Sequence, residues 1–121
     1  MRKIKFRGFG ISDKRWHYGF LIIYEGGKCI VGGFEVYPKS IGEYTGLKDK
    51  NNKEIYEGDI LDTDLERPYL VVEFRNGCFV VECRDDNEKY YDIMHPLEKE
   101  ISNLEYHEVI GNTYENPELL R

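Results

Sequence analysis

The chain has 121 residues, of which 40% are hydrophobic and 33% charged, and its formal net charge is −6. This length fits one domain with a single modest core, so we expect one domain over residues 1–121. The composition excludes a disordered chain, and no apolar run reaches the roughly 20 residues that span a bilayer. An acidic chain is also a poor non-specific ligand for phosphate backbones.

The charge is unevenly distributed along the chain. Residues 1–34 contain seven Lys or Arg and two Asp or Glu, a balance of +5, whereas residues 35–121 carry a balance of −11. We expect the basic segment to dock on acidic surface, either of its own chain or of a second copy. A local basic patch for another partner is the alternative.

The first third of the chain predicts strands. Residues 3–7 alternate, which predicts a half-buried strand with Ile4 and Phe6 inside and cationic side chains outside. Residues 16–24 predict one long strand that becomes buried on both faces towards its end. A hairpin turn over residues 25–28 follows.

Glycine and proline shape the next stretch. The pair Gly32-Gly33 predicts a bulge or bend within the following strand, which Pro38 ends.

The stretch 41–61, IGEYTGLKDKNNKEIYEGDIL, organises the middle of the chain. Its polar centre, with Asn51-Asn52, predicts a tight hairpin, because Asn tolerates the positive φ values such turns require. Gly58-Asp59 predicts a second turn, which starts a new strand.

Asn76-Gly77 is the strongest hairpin signal in the sequence. A two-residue loop sets Phe74 opposite Phe79 and Val72 opposite Val81, and we expect these two pairs to face the core. The other face pairs Glu73 with Val80 and Val71 with Glu82, so we expect it to be at least partly solvated.

The last third predicts a strand at residues 90–93, a short helix at 96–104 and a final strand at 106–114 with a bulge at Gly111-Asn112. Asn116-Pro117 predicts at most one further helical turn. The fold class is therefore mostly β with minor α, as in a small barrel or pseudobarrel capped by a short helix.

Cys29, Cys78 and Cys83 form an odd set without a C-x-x-C motif, which predicts neither disulfides nor a zinc site. Free thiols indicate a reducing compartment. The basic N-terminus is followed by no apolar segment of the signal-peptide kind, so we expect a cytoplasmic protein.

Two acidic stretches suggest metal binding only superficially. At residues 49–54, Lys53 and Glu54 replace a ligand and the glycine of a calcium loop, and Ile60 replaces its bidentate glutamate. A turn is therefore the better interpretation. A run of four acidic residues is interpreted as a solvated strand face, although converging carboxylates would hold a hard cation. Its members are Asp59, Asp62, Asp64 and Glu66.

The sequence predicts no enzyme and no cofactor. No serine lies in a nucleophile elbow, and no glycine-rich loop precedes a helix in the way that phosphate binding requires. A Cys78 or Cys83 thiol acting with His107 is conceivable, but their spacing does not support it.

Basic residues alternate with aromatic ones near the N-terminus, as in proteins that bind single-stranded nucleic acid. The alternation is also what a strand with a buried aromatic face and a solvated basic face produces. The candidate interaction surface consists of Lys5, Arg7, Lys14, Arg15 and Trp16.

Three separated motifs resemble the YopX family. They are IGEYTGLKDKN at 41–51 with EIYEGDI at 54–60, EVIGNTYENPELL at 108–120, and the opening KFRG at 5–8 with WHYG at 16–19. Asn52 departs from the glycine expected in the turn. The resemblance implies a small protein of temperate bacteriophages and prophages, with a complex β-pseudobarrel capped by a helix, which self-associates. It implies no activity.

Two functional hypotheses follow from the sequence. The first is a non-enzymatic phage accessory protein in the host bacterial cytoplasm, which forms a homo-oligomer and contacts a phage or host protein. The second is a small barrel that associates with nucleic acid through its basic, aromatic N-terminal face.

Overall fold

Short β-strands make up most of the computed structural model, which describes residues 3–62, 69–84, 89–93 and 107–120. They form three antiparallel sheets, so the prediction of a mostly β fold is confirmed. Within the described residues no sheet closes on itself. The pseudobarrel arrangement stays a prediction.

The chain divides into two compact units, Met1–Tyr44 and Thr45–Arg121. The expectation of a single domain over residues 1–121 stays a prediction. Strand β6 (Gly42–Lys48) crosses the division, because it begins in the first unit and ends in the second.

The first unit holds five strands before β6. They are β1 (Phe6–Phe9), β2 (Trp16–Gly19), β3 (Leu21–Ile23), β4 (Cys29–Val31) and β5 (Phe34–Val36). Strand β1 pairs with β2 on one side and with the start of β6 on the other. Strands β3, β4 and β5 form a separate three-stranded sheet.

Both glycine pairs of the first unit lie in turns. The predicted turn between β3 and β4 is confirmed, since the Tyr24 N–H donates to the Lys28 carbonyl at 2.8 Å. Gly32-Gly33 forms the turn between β4 and β5, with Val31 opposite Phe34. Gly32 has a φ of +58°, and a Cβ there would lie 2.6 Å from the Tyr18 carbonyl oxygen, so both backbone conformation and space require glycine.

The prediction of one long strand over residues 16–24 is wrong. The strand ends at Gly19, whose φ is +145°, and Phe20 separates β2 from β3, which belong to different sheets. The second half is not buried on both faces either, because Ile22 and Ile23 are exposed. Strand β3 lies at the edge of its sheet, and β4 is its one neighbour among the described strands.

A small core fills the first unit. Cys29, Val31 and Val36 are buried and pack with the half-buried Phe6, Leu21 and Ile41. The predicted inward position of Ile4 is wrong, since this side chain is exposed and precedes the first residue of β1.

The second unit contains the end of β6 and six further strands. They are β7 (Glu54–Tyr56), β8 (Asp59–Asp62), β9 (Leu70–Arg75), β10 (Cys78–Arg84), β11 (Lys89–Ile93) and β12 (Glu108–Asn112). Strands β8 to β12 form a five-stranded sheet in the order β11-β10-β9-β8-β12. Its core includes the fully buried Ile55, Leu61 and Val72.

The predicted hairpin between β6 and β7 is confirmed. Asn52 has a φ of +65°, and the Asp49 N–H donates to the Lys53 carbonyl at 2.8 Å. The turn at Gly58-Asp59 is also confirmed, because the Asp59 carboxylate accepts the Tyr56 N–H at 2.8 Å immediately before β8.

The hairpin at Asn76-Gly77 has the predicted register, with Phe74 opposite Phe79 and Val72 opposite Val81. The predicted burial is partly wrong, since Phe74 is exposed although it contacts the buried Phe79 edge-to-face. The face expected to be solvated carries a fully buried Glu82. Strand β10 lies inside the five-stranded sheet, and most of its side chains on both faces are covered.

The C-terminal predictions are confirmed where the structure describes them. Strand β12 pairs with β8 and carries a bulge between Val109 and Gly111, one residue earlier than expected. One 3-10 turn, Pro117–Leu120, follows Asn116. The helix predicted at residues 96–104 lies outside the described residues.

Candidate interaction surface

Arg7 and Trp16 come together on the sheet of β1 and β2. Phe9 lies directly opposite Trp16 in this pairing, and Arg7 lies two residues away on the same face. The Arg7 Cζ atom lies 4.8 Å from the centre of the Trp16 ring, and Phe9 meets the same ring edge-on at 5.2 Å. Trp16 therefore lies between a cation and a second aromatic ring.

Arg7 is buried, so the prediction of an outward cationic side on the first strand is wrong at this residue. A guanidinium is flat and weakly hydrated, and stacking on an indole face makes its burial tolerable. Arg7 and Trp16 thus serve the packing of the first unit. This contact makes Arg7 less suitable for binding a phosphate and Trp16 less suitable for stacking on a base.

The two lysines of the candidate surface each contact a tyrosine. Lys14 hydrogen-bonds the Tyr37 hydroxyl, and its Nζ lies 4.5 Å from the centre of that ring. Lys5 Nζ lies 5.3 Å from the centre of the Tyr44 ring. Such cation–π contacts are weak at exposed sites, and they keep each ammonium near apolar surface.

Like Lys14, Arg15 is exposed. Its backbone N–H donates to Asp13 Oδ1 at 3.2 Å, which fixes the turn before β2. Among the contacts described for the five residues, Arg7 and Trp16 are the pair that meet directly. The surface is thus a set of separate cation–aromatic contacts.

A second cluster in the same unit was not predicted from the sequence. The His17 ring stacks on Phe34 with 3.8 Å between the ring centres, and its Nε2 lies 2.7 Å from Asp13 Oδ2. The spacing of Asp13 and His17 is visible in the sequence. The stacking on Phe34 depends on the Gly32-Gly33 turn and is not.

The contacts of this cluster lower the pKa of Asp13. Desolvation acts to raise its pKa, but hydrogen bonds from the Arg15 backbone and the His17 ring outweigh it and hold the pKa of Asp13 below its usual value. The ionised carboxylate is therefore the form that the folded turn favours.

Strand β3 and the residues beside it expose several apolar side chains. Phe20 is 81% exposed, Ile23 65%, Tyr24 53% and Ile22 49%. Strand β3 and its two flanking residues thus present four large apolar side chains to the surroundings. Scattered apolar residues are normal on a surface, whereas adjacent ones mark contact sites.

The acidic residues of the second unit have structural roles. Asp49 is buried, and its carboxylate accepts the N–H groups of Asn51, Lys53 and Val109, each at 2.9 Å. The predicted solvated acidic face is wrong at Asp59, which is buried and holds the turn before β8.

The rest of the acidic run offers no assembled site. Asp62 is half-buried and lies opposite Glu108, while Asp64 and Glu66 lie outside the described residues. Within the described part of the chain, no three His, Cys, Asp or Glu residues are placed to hold a metal ion.

The three cysteines are free, as predicted. Cys29 and Cys83 are buried, and the half-buried Cys78 donates its thiol to the Arg75 carbonyl at 3.4 Å. In the described ranges no helix has the length and hydropathy needed to cross a membrane.

These features define a small, mostly β protein with an exposed apolar edge strand beside a basic, aromatic sheet. The family model described as YopX protein matches residues 5–121, and the chain therefore belongs to the YopX family. The resemblance noted in the three sequence motifs is confirmed.

Comparison with other proteins adds one solved structure. The chain is similar to protein EF1440 from Enterococcus faecalis, with 22% sequence identity, full coverage of both chains and a TM-score of 0.48. The search of curated proteins gave no significant match.

Proposed function

We propose that this chain is a non-enzymatic accessory protein of bacteriophages and prophages, which self-associates and acts by protein–protein contact. It works in the host bacterial cytoplasm. The phage setting rests on the resemblance to the YopX family, and the reducing compartment is supported by the three free thiols.

The observation that carries the proposal is the exposed apolar surface of the first unit. Seven large hydrophobic side chains there are exposed: Ile4, Tyr18, Phe20, Ile22, Ile23, Tyr24 and Phe34. Four of them, at residues 20 and 22–24, lie close together along the chain. Neighbouring apolar side chains are costly to expose to water, so this surface favours a protein partner. The large core hydrophobics Val31 and Val36 of the same unit are almost fully buried, so the exposure is selective.

Charge supports a second copy as that partner. The balance of +5 in residues 1–34 and of −11 in residues 35–121 lets unlike surfaces of two copies attract. Such attraction steers association and weakens with salt, whereas apolar contact does not.

The absence of a catalytic role is supported by what the buried carboxylates do. Asp49 and Asp59 accept backbone N–H groups, which holds them in turns. The nucleic-acid alternative is weakened by the contact between Arg7 and Trp16, which engages two of its five residues in packing.

Sedimentation velocity over a dilution series, in low and in high salt, tests the proposal. We expect an oligomer at high concentration that persists when salt is raised, because apolar contact carries it. A monomer at every concentration and salt would contradict self-association.

Fluorescence anisotropy with labelled single-stranded and duplex DNA tests the alternative. We expect no binding at about 10 µM protein in low salt, where non-specific binders are normally detected. Binding that is lost on Arg15→Glu would favour the nucleic-acid function instead.

A further inference from the structure

Strand β3 has an open outer edge. It is the terminal strand of the sheet β3-β4-β5, and no described strand pairs with its other side. An edge of this kind presents backbone N–H and C=O groups that another strand can bind.

The hydrogen-bond pattern shows which residues point outward. The Phe20 carbonyl accepts the Gly32 N–H at 3.3 Å, and the Tyr24 N–H donates to the Lys28 carbonyl at 2.8 Å. The pair Ile22–Ile30 lies midway between these two bonded pairs in the register. Because bonded pairs alternate along an antiparallel ladder, Leu21 and Ile23 direct their N–H and C=O groups away from β4.

This edge is complementary to itself. If two copies of β3 pair antiparallel about a two-fold axis at Ile22, Leu21 of each copy lies opposite Ile23 of the other. These are the residues whose backbone groups point outward, so both positions form bonded pairs, with four hydrogen bonds in total.

The side chains match in the same register. Ile22 lies opposite its own copy, and Phe20 of each strand lies opposite Tyr24 of the other, on one face. Leu21 and Ile23 meet on the opposite face. Every apolar residue from 20 to 24 therefore meets an apolar partner, and no charge enters the contact.

Two other sheet edges, those of β12 and β5, are covered. On β12, the Val109 N–H donates to the Asp49 carboxylate, and the His107 carbonyl just before the strand accepts the Lys50 N–H. On β5, Val36 forms a bridge with Gly10, and the Ile11 N–H donates to Glu35. Strand β3 has no such cover among the described residues, and it has none of the lysines or prolines that commonly protect edges.

We propose that β3 is a self-association site, at which two copies of this chain join their three-stranded sheets into one continuous six-stranded sheet across a two-fold axis at Ile22. The inference rests on the proposed function, which requires self-association but does not say where it occurs. Symmetric pairing of one surface is the usual form of a two-fold dimer.

Charge exchange at Ile22 tests the pairing. Ile22→Lys and Ile22→Glu each place two like charges directly opposite, and we expect the dimer dissociation constant to rise about tenfold or more in each. An equimolar mixture of the two variants should recover association. Tyr69→Lys is the control, since Tyr69 is also exposed but lies in the second unit, outside β3.

Cysteine cross-linking gives a second test that does not weaken the interface. In a Cys78→Ser background, Ile22→Cys should form an intermolecular disulfide, because non-bonded antiparallel pairs hold their Cα atoms about 4.5 Å apart. Leu21→Cys alone should cross-link far less, since its partner position is Ile23.

The outcomes separate the two proposals. A wild-type oligomer that neither responds to charge at Ile22 nor cross-links there would overturn pairing through β3 and leave self-association standing. A wild-type monomer under all conditions would overturn both.

Discussion

The two units treat their apolar side chains and their sheet edges differently. The second unit buries a core of eight residues, and within its described part the exposed large hydrophobics are Tyr69 and Phe74. The first unit has a core cluster of three buried residues and exposes seven large hydrophobic residues. The second unit thus buries most of its described large apolar side chains, and the first unit leaves many of them exposed.

Two edges, those of β12 and β3, show the same contrast. In the second unit the 49–53 turn covers β12, and a single buried carboxylate, Asp49, holds three N–H groups there. In the first unit β3 stays open. The comparison teaches that the second unit covers this edge with its own turn, whereas the first unit leaves β3 available for the pairing proposed above.

The largest expected effect lies in the core of the second unit. Leu61→Ala removes a fully buried side chain, and we expect a loss of about 2–5 kcal/mol in the free energy of unfolding, measured in urea. Ile23→Ala is the matched change in the first unit. At concentrations where the chain is monomeric it should cost less than about 0.5 kcal/mol, since Ile23 is exposed. Equal losses would remove the contrast between the units.

The covered edge is tested at Asp49. Asp49→Ala leaves three backbone N–H groups without their acceptor, and we expect a loss of about 3 kcal/mol in unfolding free energy. Hydrogen exchange of the Asn51, Lys53 and Val109 amides should accelerate together. Asn51→Ala, which removes only an exposed side-chain contact to Glu108, is the control. Unchanged exchange at Val109 would show that Asp49 does not hold the edge.

Substitution of Arg7 tests whether its contact with Trp16 stabilises the first unit, whose core is small. Arg7→Ala removes a buried cation from the Trp16 ring, and we expect a loss of about 1–2 kcal/mol. Trp16 is the chain's single tryptophan, so its fluorescence should shift with this change. Arg7→Lys should shift it too, because an ammonium lacks the flat guanidinium. Arg15→Ala should alter neither measurement, and a matching effect there would contradict the assigned contact.

The smallest effect concerns the turn before β2. The pKa of Asp13 is lowered in the folded chain, so its stabilisation is present above the unfolded pKa and is lost as pH falls through the folded pKa. We expect Asp13→Asn to flatten the acid end of the stability profile. The pKa of Asp13 can be measured by an NMR titration of its carboxyl group. A pKa at or above the ordinary value of 3.8 would contradict the hydrogen bonds assigned to Asp13.

Hairpin registers could be read from the sequence because short loops restrict the backbone strongly. The register at Asn76-Gly77 is right to the residue, and Asn52 takes the positive φ that its turn needs. The end of the strand at Gly19 could not be predicted from the sequence, because a single glycine among alternating apolar residues can adopt either a negative or a positive φ. The predicted burial of the following strand is wrong for the same reason, because Ile22 and Ile23 are exposed.

Alternation separates the two faces of a strand but does not say what covers each face. Glu82 was expected to be partly solvated and is buried, because β10 has a strand on each side and cover on both faces. Arg7 was expected outside and is buried, because Trp16 accepts its guanidinium. Alternation therefore predicts the five candidate residues as a surface, which stays a prediction, and it does not predict the exposure of β3.

Amide hydrogen exchange of β3 at several protein concentrations tests the central claim, that the open edge of the first unit is the association site. We expect the Ile22 amide to be protected at every concentration by its pairing with Ile30. The Leu21 and Ile23 amides should exchange fast in dilute solution and slow together as concentration rises. If Leu21 and Ile23 exchange fast at every concentration while the chain associates, or if concentration protects only the second unit, the account is contradicted.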